Sequence, residues 1–264
     1  MKKYLEIAKI YLKTQLAWKA DAIFSIIFTV TKIIFAYLLW GIIFEGREMV
    51  SGFTYHSMLS YYIISSFLTQ LDMSGRISNE ISSRIRNGTF SKYMVIPVRV
   101  DKYFIAMDAG WISFYVVVDL IAAVVWIFLF HIRFVFTGNI LVILSAVVMI
   151  LLGLLFMIKL NYYLGLLTLK YQEISTFLMI KDSLVSLITG SIIPLALLPE
   201  HVIGFMKIFP FYYITYLPSM LLIGKCEEEA FRGVIILLAW CIGMEMINRK
   251  TYQKYRLKFD GVGI

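Results

Sequence analysis

The sequence predicts an all-α polytopic membrane protein, and three observations lead to that prediction. Hydrophobic residues make up 60% of the 264 residues and charged residues only 16%, and the mean hydropathy is +0.81. A soluble domain carries about 25% charged residues, so a soluble fold of this composition would expose a large apolar surface to water. Long uncharged runs also recur along the chain. Lipid is therefore the expected solvent, which excludes a soluble or disordered protein.

Four uncharged or nearly uncharged runs reach the ~20 residues that a membrane-spanning helix needs. They are residues 22–44, 49–71, 109–132 and 134–158. The first contains Lys32 and the third contains Asp119 as its only charge. A charge at the bilayer centre costs roughly 3 kcal/mol on insertion scales, so runs this poor in charge predict four spans.

Two further spans complete the predicted bundle of six. The fifth is expected over 183–199 with its helix beginning near Ser175, and the sixth over 230–247. An even number of spans places both termini on one side of the membrane.

Proline and glycine cluster between the fifth and sixth spans. Because interior proline breaks the helical hydrogen bonds, this part of the chain is not expected to cross the membrane. We expect an external re-entrant region over 200–229, with a kinked external loop as the alternative. The residues that define the broken region are Gly190, Pro194, Pro199, Pro210 and Pro218.

The distribution of basic residues sets the orientation. With a cytoplasmic N-terminus, 18 Lys and Arg fall in cytoplasmic segments and 5 in external ones, apart from Lys32 and Lys159 inside the spans. This asymmetry follows the positive-inside rule. It predicts cytoplasmic termini and accounts for the net charge of +8 without nucleic acid as a partner. The cytoplasmic segments are 1–21, 72–108, 166–182 and 248–264.

The first 21 residues are expected to form an interfacial helix. Residues 3–20 place Tyr4, Leu5 and Leu12 on one side and charged residues on the other. A cytoplasmic extension of the first span is the alternative. The start lacks the pattern of a cleaved signal peptide, so it is expected to be retained. Residues 1–264 are interpreted as a single membrane domain.

Motifs for catalysis are missing from the sequence. It contains no phosphate-binding loop and no dinucleotide fingerprint, so the chain is not expected to hydrolyse ATP or to act as an enzyme. The histidines are isolated and Cys226 and Cys241 are too few for a disulfide framework. We therefore expect no catalytic residue, no cofactor and no metal site in this chain.

Two charges lie near the predicted mid-depth of the membrane. Lys32 and Asp119 belong to the first and third spans, and an ion pair between them would relieve the cost of both charges. A buried structural pair is the simpler interpretation, and a proton or ion relay is the functional one. Lys159 lies near the cytoplasmic end of the fourth span, where its side chain can reach the interface.

The cytoplasmic loop between spans two and three predicts a compact helical element. Its residues 79–98 read NEISSRIRNGTFSKYMVIPV. A helix through Ile77, Ile81 and Ile85 is expected to end at Asn87 and Gly88, since glycine accepts the left-handed conformation after a helix. A short second helix over 89–94 would stop before Pro97. Such a basic, partly apolar element suits a groove of a cytoplasmic partner.

These loop residues, together with the broken region after span five, resemble an ABC-2 type transporter permease. The resemblance covers essentially the full chain, and the order, spacing and membrane sides of its motifs agree. The residues that carry it are Glu80, 85–89, Pro97, Val98, Gly190, Pro194, Leu198, Pro199, 209–211, Pro218 and the tail 258–263. The pair of charges at Lys32 and Asp119 has no place in that pattern.

The resemblance implies a half-transporter in the plasma membrane. This chain would join a second copy or a sister permease, and two separate cytoplasmic ATPase subunits would bind ATP and Mg²⁺. The exported substrate would be an amphiphile such as a lipid, drug, peptide or polysaccharide. The implied coupling helix matches roughly 77–94, with candidate residues Glu80, Arg84, Ile85, Arg86, Asn87, Gly88, Lys92 and Tyr93.

A substrate path is expected along span two. The alternative role of its candidate residues is packing against lipid or the core. Its candidates are Tyr61, Tyr62, Phe67 and Gln70. Two other classes of function remain open from the sequence. One is an ion-coupled secondary transporter or channel that uses Lys32, Asp119 and Glu245, and the other is an anchoring subunit that transports nothing.

Overall fold

The computed structural model describes residues 2–17, 19–130, 133–190 and 194–256, and most of this part of the chain is helical. Its only β-type pairing is an isolated bridge between Val50 and Phe53. The helices are α1 (Lys2–Ala17), α2 (Lys19–Ile43), α3 (Tyr55–Leu71), α4 (Gly75–Arg86), α5 (Ser91–Val95), α6 (Val100–Leu129), α7 (Ile140–Tyr171), α8 (Ser175–Ile188), α9 (Glu200–Met206), α10 (Tyr216–Leu222) and α11 (Ala230–Tyr255). Three 3₁₀ turns, Leu195–Leu197, Pro210–Tyr213 and Glu227–Glu229, join the later helices. The predicted all-α class is confirmed.

Three helices of the described chain are long and apolar enough to cross a membrane. They are Val100–Phe128, Ile140–Tyr171 and Glu227–Tyr255, which correspond to the predicted third, fourth and sixth spans. The predicted first and second spans coincide with α2, whose apolar stretch is Ile27–Ile43, and with α3. Their crossing of the bilayer, like the full number of six spans, stays a prediction.

The fifth predicted span is shorter than the sequence indicated. Its helix α8 begins at Ser175 as expected but ends at Ile188, 11 residues before Pro199. At 1.5 Å per residue, its 14 residues extend about 21 Å, less than the ~30 Å hydrocarbon core. The helix stops because Gly190 adopts a left-handed backbone with φ of +70°.

Short helices fill the chain from α8 to α11. The 3₁₀ turn at Pro210 has proline in its first position, where the missing N–H leaves no hydrogen bond unmade. Pro218 lies in the first turn of α10, where its N–H would also have no partner within the helix. The side chains of Tyr212, Leu217 and Leu221 are buried in the core. The segment is divided into short helices as expected, although Pro218 lies within α10 and does not interrupt it, and re-entry into the membrane stays a prediction.

Helix α7 is the centre of the packing, with α11, α10 and α4 against it. At the level of Gly233 on α11, the side chains of Met149 and Leu217 come so close that a Cβ at Gly233 would lie 2.9 Å from each. A Cβ at Gly153 on α7 would likewise lie 3.2 Å from the side chain of Ile214. The glycines therefore allow the long helices to approach the broken segment closely.

Helix α1 packs along α6. The Tyr11 hydroxyl lies 2.7 Å from the Tyr103 hydroxyl, and its ring meets the Trp111 ring edge-on with centroids 5.5 Å apart. A Cβ at Gly110 would collide with the Ala8 carbonyl oxygen. The predicted N-terminal helix is confirmed as a helix, and its position at the membrane interface stays a prediction.

Helix α4 is fixed to α7 by one close approach. Ile81 is fully buried, and a Cβ added to Gly165 would lie 2.8 Å from its Cβ. Ile77 is fully buried on the same face one turn earlier. Because Gly165 has no side chain, α4 can pack closely against α7.

We expect Gly165→Ala to destabilise the protein by roughly 1–3 kcal/mol through overpacking against Ile81. Thermal unfolding of the purified protein in detergent would measure this. Gly243→Ala in α11 is the matched control, since nothing lies within 4 Å of a Cβ there. Both changes gain the same helix propensity, so an equal effect on the two unfolding midpoints would contradict the close approach at Gly165.

Candidate functional site

The predicted cytoplasmic element is a helix pair made of α4, a glycine turn and α5. At the end of α4 the N–H of Thr89 donates to the carbonyl of Arg84 at 2.8 Å, and the N–H of Gly88 donates to that of Ile85 at 3.1 Å. Gly88 has φ of +69°. These two bonds with a left-handed glycine form a Schellman motif. The expected end of the helix at Asn87 and Gly88 is confirmed.

The start of α4 is tied to the bundle by polar side chains. Asp72 accepts hydrogen bonds from the N–H of Ser74, at 3.1 Å, and from the Ser74 hydroxyl, which in turn accepts from the amide of Asn161 on α7 at 2.8 Å. Burial raises the pKa of Asp72, while the Ser74 hydrogen bonds act in the opposite direction. Both ends of α4 are therefore fixed.

A carboxylate joins the two helices of the element. Glu80 accepts from Nε of Arg84 at 2.5 Å and from the Tyr93 hydroxyl of α5 at 3.1 Å. The Arg84 guanidinium also lies 5.5 Å from the centre of the Tyr93 ring. The ion pair is about one-third exposed, so solvent screening limits its contribution to about 0.5 kcal/mol. Its main consequence is geometric, because it sets α5 against α4.

Burial and charge keep Tyr93 neutral and Arg84 charged. Burial, followed by the nearby Glu80 carboxylate, raises the pKa of the Tyr93 phenol well above its ordinary value. The hydrogen bond to Glu80 raises the pKa of Arg84. The ring of Tyr93 packs against Phe90 and Phe104 with centroids 5.7 and 5.1 Å apart. The inner face of the element is therefore apolar and well packed.

The outer tip of the element faces solvent. Arg86, Asn87 and Lys92 are exposed, and the side chain of Val95 is 80% exposed. Nη1 of Arg86 pairs with Glu173 at 2.8 Å, in the turn that leads into α8. The structure thus brings all the candidate coupling residues into one element, with a buried inner face and a basic, partly apolar tip.

Glu173 links this tip to α8. It accepts hydrogen bonds from the N–H groups of Ile174 and Ser175, each at 2.9 Å. Hydrogen bonds from Ser175, and then the Arg86 charge, lower the pKa of Glu173. Sequence reasoning missed this contact because Arg86 and Glu173 lie 87 residues apart.

The candidate path residues on α3 have different surroundings. Tyr61 is fully buried and its hydroxyl donates to the carbonyl of Gly190 at 3.3 Å. Tyr62, Phe67 and Gln70 are partly buried, and Gln70 accepts a hydrogen bond from Thr29 of α2. The contacts of Tyr61 favour a packing role, and the other three positions stay predictions.

The expected ion pair between Lys32 and Asp119 does not form. Lys32 is exposed on α2, whereas Asp119 on α6 is 5% exposed, and no hydrogen bond in the described chain reaches either of its carboxylate oxygens. The sequence indicates that the two charges lie at similar depth, but it does not show which way each side chain faces.

A charged cluster where the start of α6 meets α7 and the end of α11 was not predicted as a unit. Glu245 accepts from Nε of Arg249 at 2.7 Å, from Arg99 at 3.3 Å and from Lys159. The spacing of Glu245 and Arg249 by four residues is a recognisable helical pair. The involvement of Lys159 and Arg99 depends on tertiary packing. Glu245 is thus neutralised by three cations.

One group outside the cytoplasmic element has the donor types of a metal site. Ligand atoms of Cys226, Glu228 and Glu229 lie within 4.8 Å of one another in the turn before α11. Glu229 is already bound by Lys207 at 2.5 Å and by the Tyr212 hydroxyl at 3.3 Å. We therefore assign this acidic group to the packing of the turn before α11.

The fold and the site define a helical membrane protein with a structured pair of short helices, α4 and α5. A comparison with protein-family models matches residues 27–260 to the family described as ABC-2 family transporter protein, and the chain belongs to that family. The resemblance inferred from the sequence is confirmed, and it implies a membrane-embedded permease. Comparisons with curated proteins and with solved structures gave no match.

We expect Gly88→Ala to destabilise the end of α4 by roughly 1–2 kcal/mol, since alanine pays that penalty in the left-handed region. Gly88→Asn is the matched control, because asparagine tolerates this conformation better. Hydrogen exchange of the amides at 88 and 89 would report the opening of the Schellman motif. Equal protection in Gly88→Ala and the native protein would contradict the requirement for glycine.

Proposed function

We propose that the chain is the transmembrane permease subunit of an ATP-driven exporter. Two separate cytoplasmic ATPase subunits bind ATP and Mg²⁺ and hydrolyse the ATP, and this chain carries an amphiphilic substrate across the plasma membrane. A second copy or a sister permease completes the pathway. The observation that carries the proposal is the α4–α5 element, whose inner face is fixed to the bundle while its tip is free for a partner.

The chemistry of the tip supports a protein partner. It combines the exposed cations Arg86 and Lys92 with the exposed side chain of Val95. Interfaces between proteins typically have an apolar centre with a polar rim. A groove of the ATPase that presents an apolar floor and acidic rim would complement this surface.

Movement of the element would reach the bundle by two contacts. The first is the close approach of Ile81 to Gly165 on α7, which is too tight for sliding without rearrangement of α7. The second is the pair of Arg86 with Glu173 at the start of α8. Closure of the ATPases would thus favour one of two arrangements of α7 and α8.

The arrangement in the membrane follows from the charge distribution. The 18 cytoplasmic against 5 external basic residues support cytoplasmic termini. The cytoplasmic orientation places the α4–α5 element on the side where ATP is available. Apolar side chains of Phe24, Phe28 and Phe35 on α2 are more than 60% exposed and are available to lipid or to a second permease.

The ion-coupled alternative has less support. It requires Lys32, Asp119 and Glu245 to act together, but Lys32 and Asp119 do not pair and Glu245 is bound by three cations at the cytoplasmic end. Family membership also favours an ATPase partner. The alternative would nevertheless show itself as flux driven by an ion gradient through the chain alone.

We expect the chain to co-purify from its native membrane, in gentle detergent, with a stoichiometric ATPase that contains a phosphate-binding loop. Arg86→Glu should reduce that ATPase by at least tenfold, because the reversed charge removes the pair with Glu173 and opposes an acidic groove. Mass spectrometry of the purified complex and its rate of ATP hydrolysis are the two measurements.

Lys102→Glu is the control, since it reverses an exposed cytoplasmic charge at the start of α6, outside the element. It should retain the ATPase. Recovery of the native chain without any ATPase, together with ion-driven flux in liposomes, would overturn the proposal. Full retention of an active ATPase by Arg86→Glu would remove the assigned role of the tip.

A further inference from the structure

A cavity of about 410 Å³ lies at the cytoplasmic ends of α6 and α11. It is bounded by the linker from α5 to α6, the first turn of α6 and the last turns of α11. Three guanidinium groups and two carboxylates line it, namely Arg99, Arg249, Arg256, Asp101 and Glu245. This cavity is distinct from the exposed tip of the α4–α5 element.

The positive charges in this cavity exceed the negative ones. Asp101 binds Arg99 at 2.5 Å, and Glu245 binds Arg249 at 2.7 Å as well as Lys159. Arg256 has no carboxylate partner in the described chain, and its guanidinium lies 5.9 Å from the centre of the Tyr252 ring. An anion would therefore meet a net positive charge here.

A buried acceptor also lacks a partner in the cavity. Asn248 lines it and is only 4% exposed. Its amide nitrogen donates to the carbonyl of Lys159 at 2.9 Å, which fixes the orientation of the amide. Its oxygen receives no hydrogen bond in the described chain. Buried acceptors are normally satisfied, so a hydroxyl donor of a ligand would suit this oxygen once the Asn248 side chain turns toward the cavity.

An apolar groove of about 420 Å³ adjoins the cavity between α7 and α11. Glu245 and Arg249 line both spaces and therefore lie where the groove and the charged cavity meet. From Leu238 to Arg249 it extends about 16 Å along α11, which is about half the ~30 Å hydrocarbon thickness. Its apolar lining is Leu152, Leu155, Leu238, Cys241, Ile242 and Met246.

We propose that these two adjoining spaces bind one phospholipid of the cytoplasmic leaflet with an anionic, hydroxyl-bearing headgroup such as phosphatidylglycerol. The phosphate lies among Arg249, Arg256 and Arg99, a headgroup hydroxyl donates to the Asn248 oxygen, and an acyl chain occupies the apolar groove. Basic pockets between helices at the cytoplasmic interface have the chemistry that binds such headgroups. The bound lipid would hold the end of α11 against the start of α6.

Titration of the purified, delipidated chain with dioleoylphosphatidylglycerol tests the site. Native mass spectrometry would count the bound lipid, and the unfolding midpoint would report its stabilising effect. Arg256→Gln should weaken binding about tenfold, since it removes a charge-assisted hydrogen bond. Its matched control is Lys250→Gln, which removes a neighbouring charge that lines a different cavity and should retain lipid affinity.

A second variant tests the groove separately from the headgroup. Ile242→Trp fills the apolar groove and should abolish retention of the lipid. Leu144→Trp, at a 60% exposed position of α7 outside the groove, should retain it. The two variants keep the test informative even where one substitution impairs folding.

The probes distinguish the sources of the phosphate. Dioleoylphosphatidylcholine, which has no net charge and no hydroxyl donor, should bind at least tenfold more weakly. Stabilisation by inorganic phosphate equal to that by dioleoylphosphatidylglycerol would overturn the lipid assignment in favour of a free anion. Equal loss of lipid in Lys250→Gln and Arg256→Gln would overturn the site. These readouts involve no ATPase, so they are independent of the proposed transport function.

Discussion

The need to satisfy every backbone polar group within a lipid solvent governs this structure. Lipid tails offer no hydrogen bonds, so the chain must form helices wherever it crosses the bilayer. Where glycine and proline interrupt helices after Ile188, the later part of the broken segment, from Pro210 to Leu222, packs against α3, α7 and α11. Tyr212, Leu217 and Leu221 are buried by this packing. The same constraint therefore explains both the long helices and the location of the irregular segment.

Close approach between helices holds the α4–α5 element against the bundle. The hydrophobic effect contributes little between helices in lipid, and small residues allow the backbones to pack. Gly153 and Gly233 serve this purpose deep in the bundle, and Gly165 does so where α4 meets α7. The α4–α5 element is consequently part of the packed structure. A displacement of its tip would therefore be passed to α7 through the contact between α4 and α7.

The charged residues are organised by depth. Glu245 of α11 is bonded to Arg249, to Lys159 of α7 and to Arg99 just before α6, so these three parts of the chain meet at one charged cluster. In the apolar part of the structure, Asp119 is isolated from protein partners within the described chain. The ion pairs around Glu245 help to hold α7, α11 and the start of α6 together.

Sequence alone determined the helical class, the membrane setting, the family and the local form of the α4–α5 element. These depend on composition, on hydropathy over ~20 residues and on local rules such as glycine after a helix end, all of which act over short distances. Tertiary structure decided that Lys32 and Asp119 stay apart, that α8 stops at Ile188, that Arg86 meets Glu173 and that Glu245 binds Lys159. Such outcomes depend on how helices are rotated and spaced against one another. That information lies in contacts between residues far apart in the chain and is not carried by any local pattern.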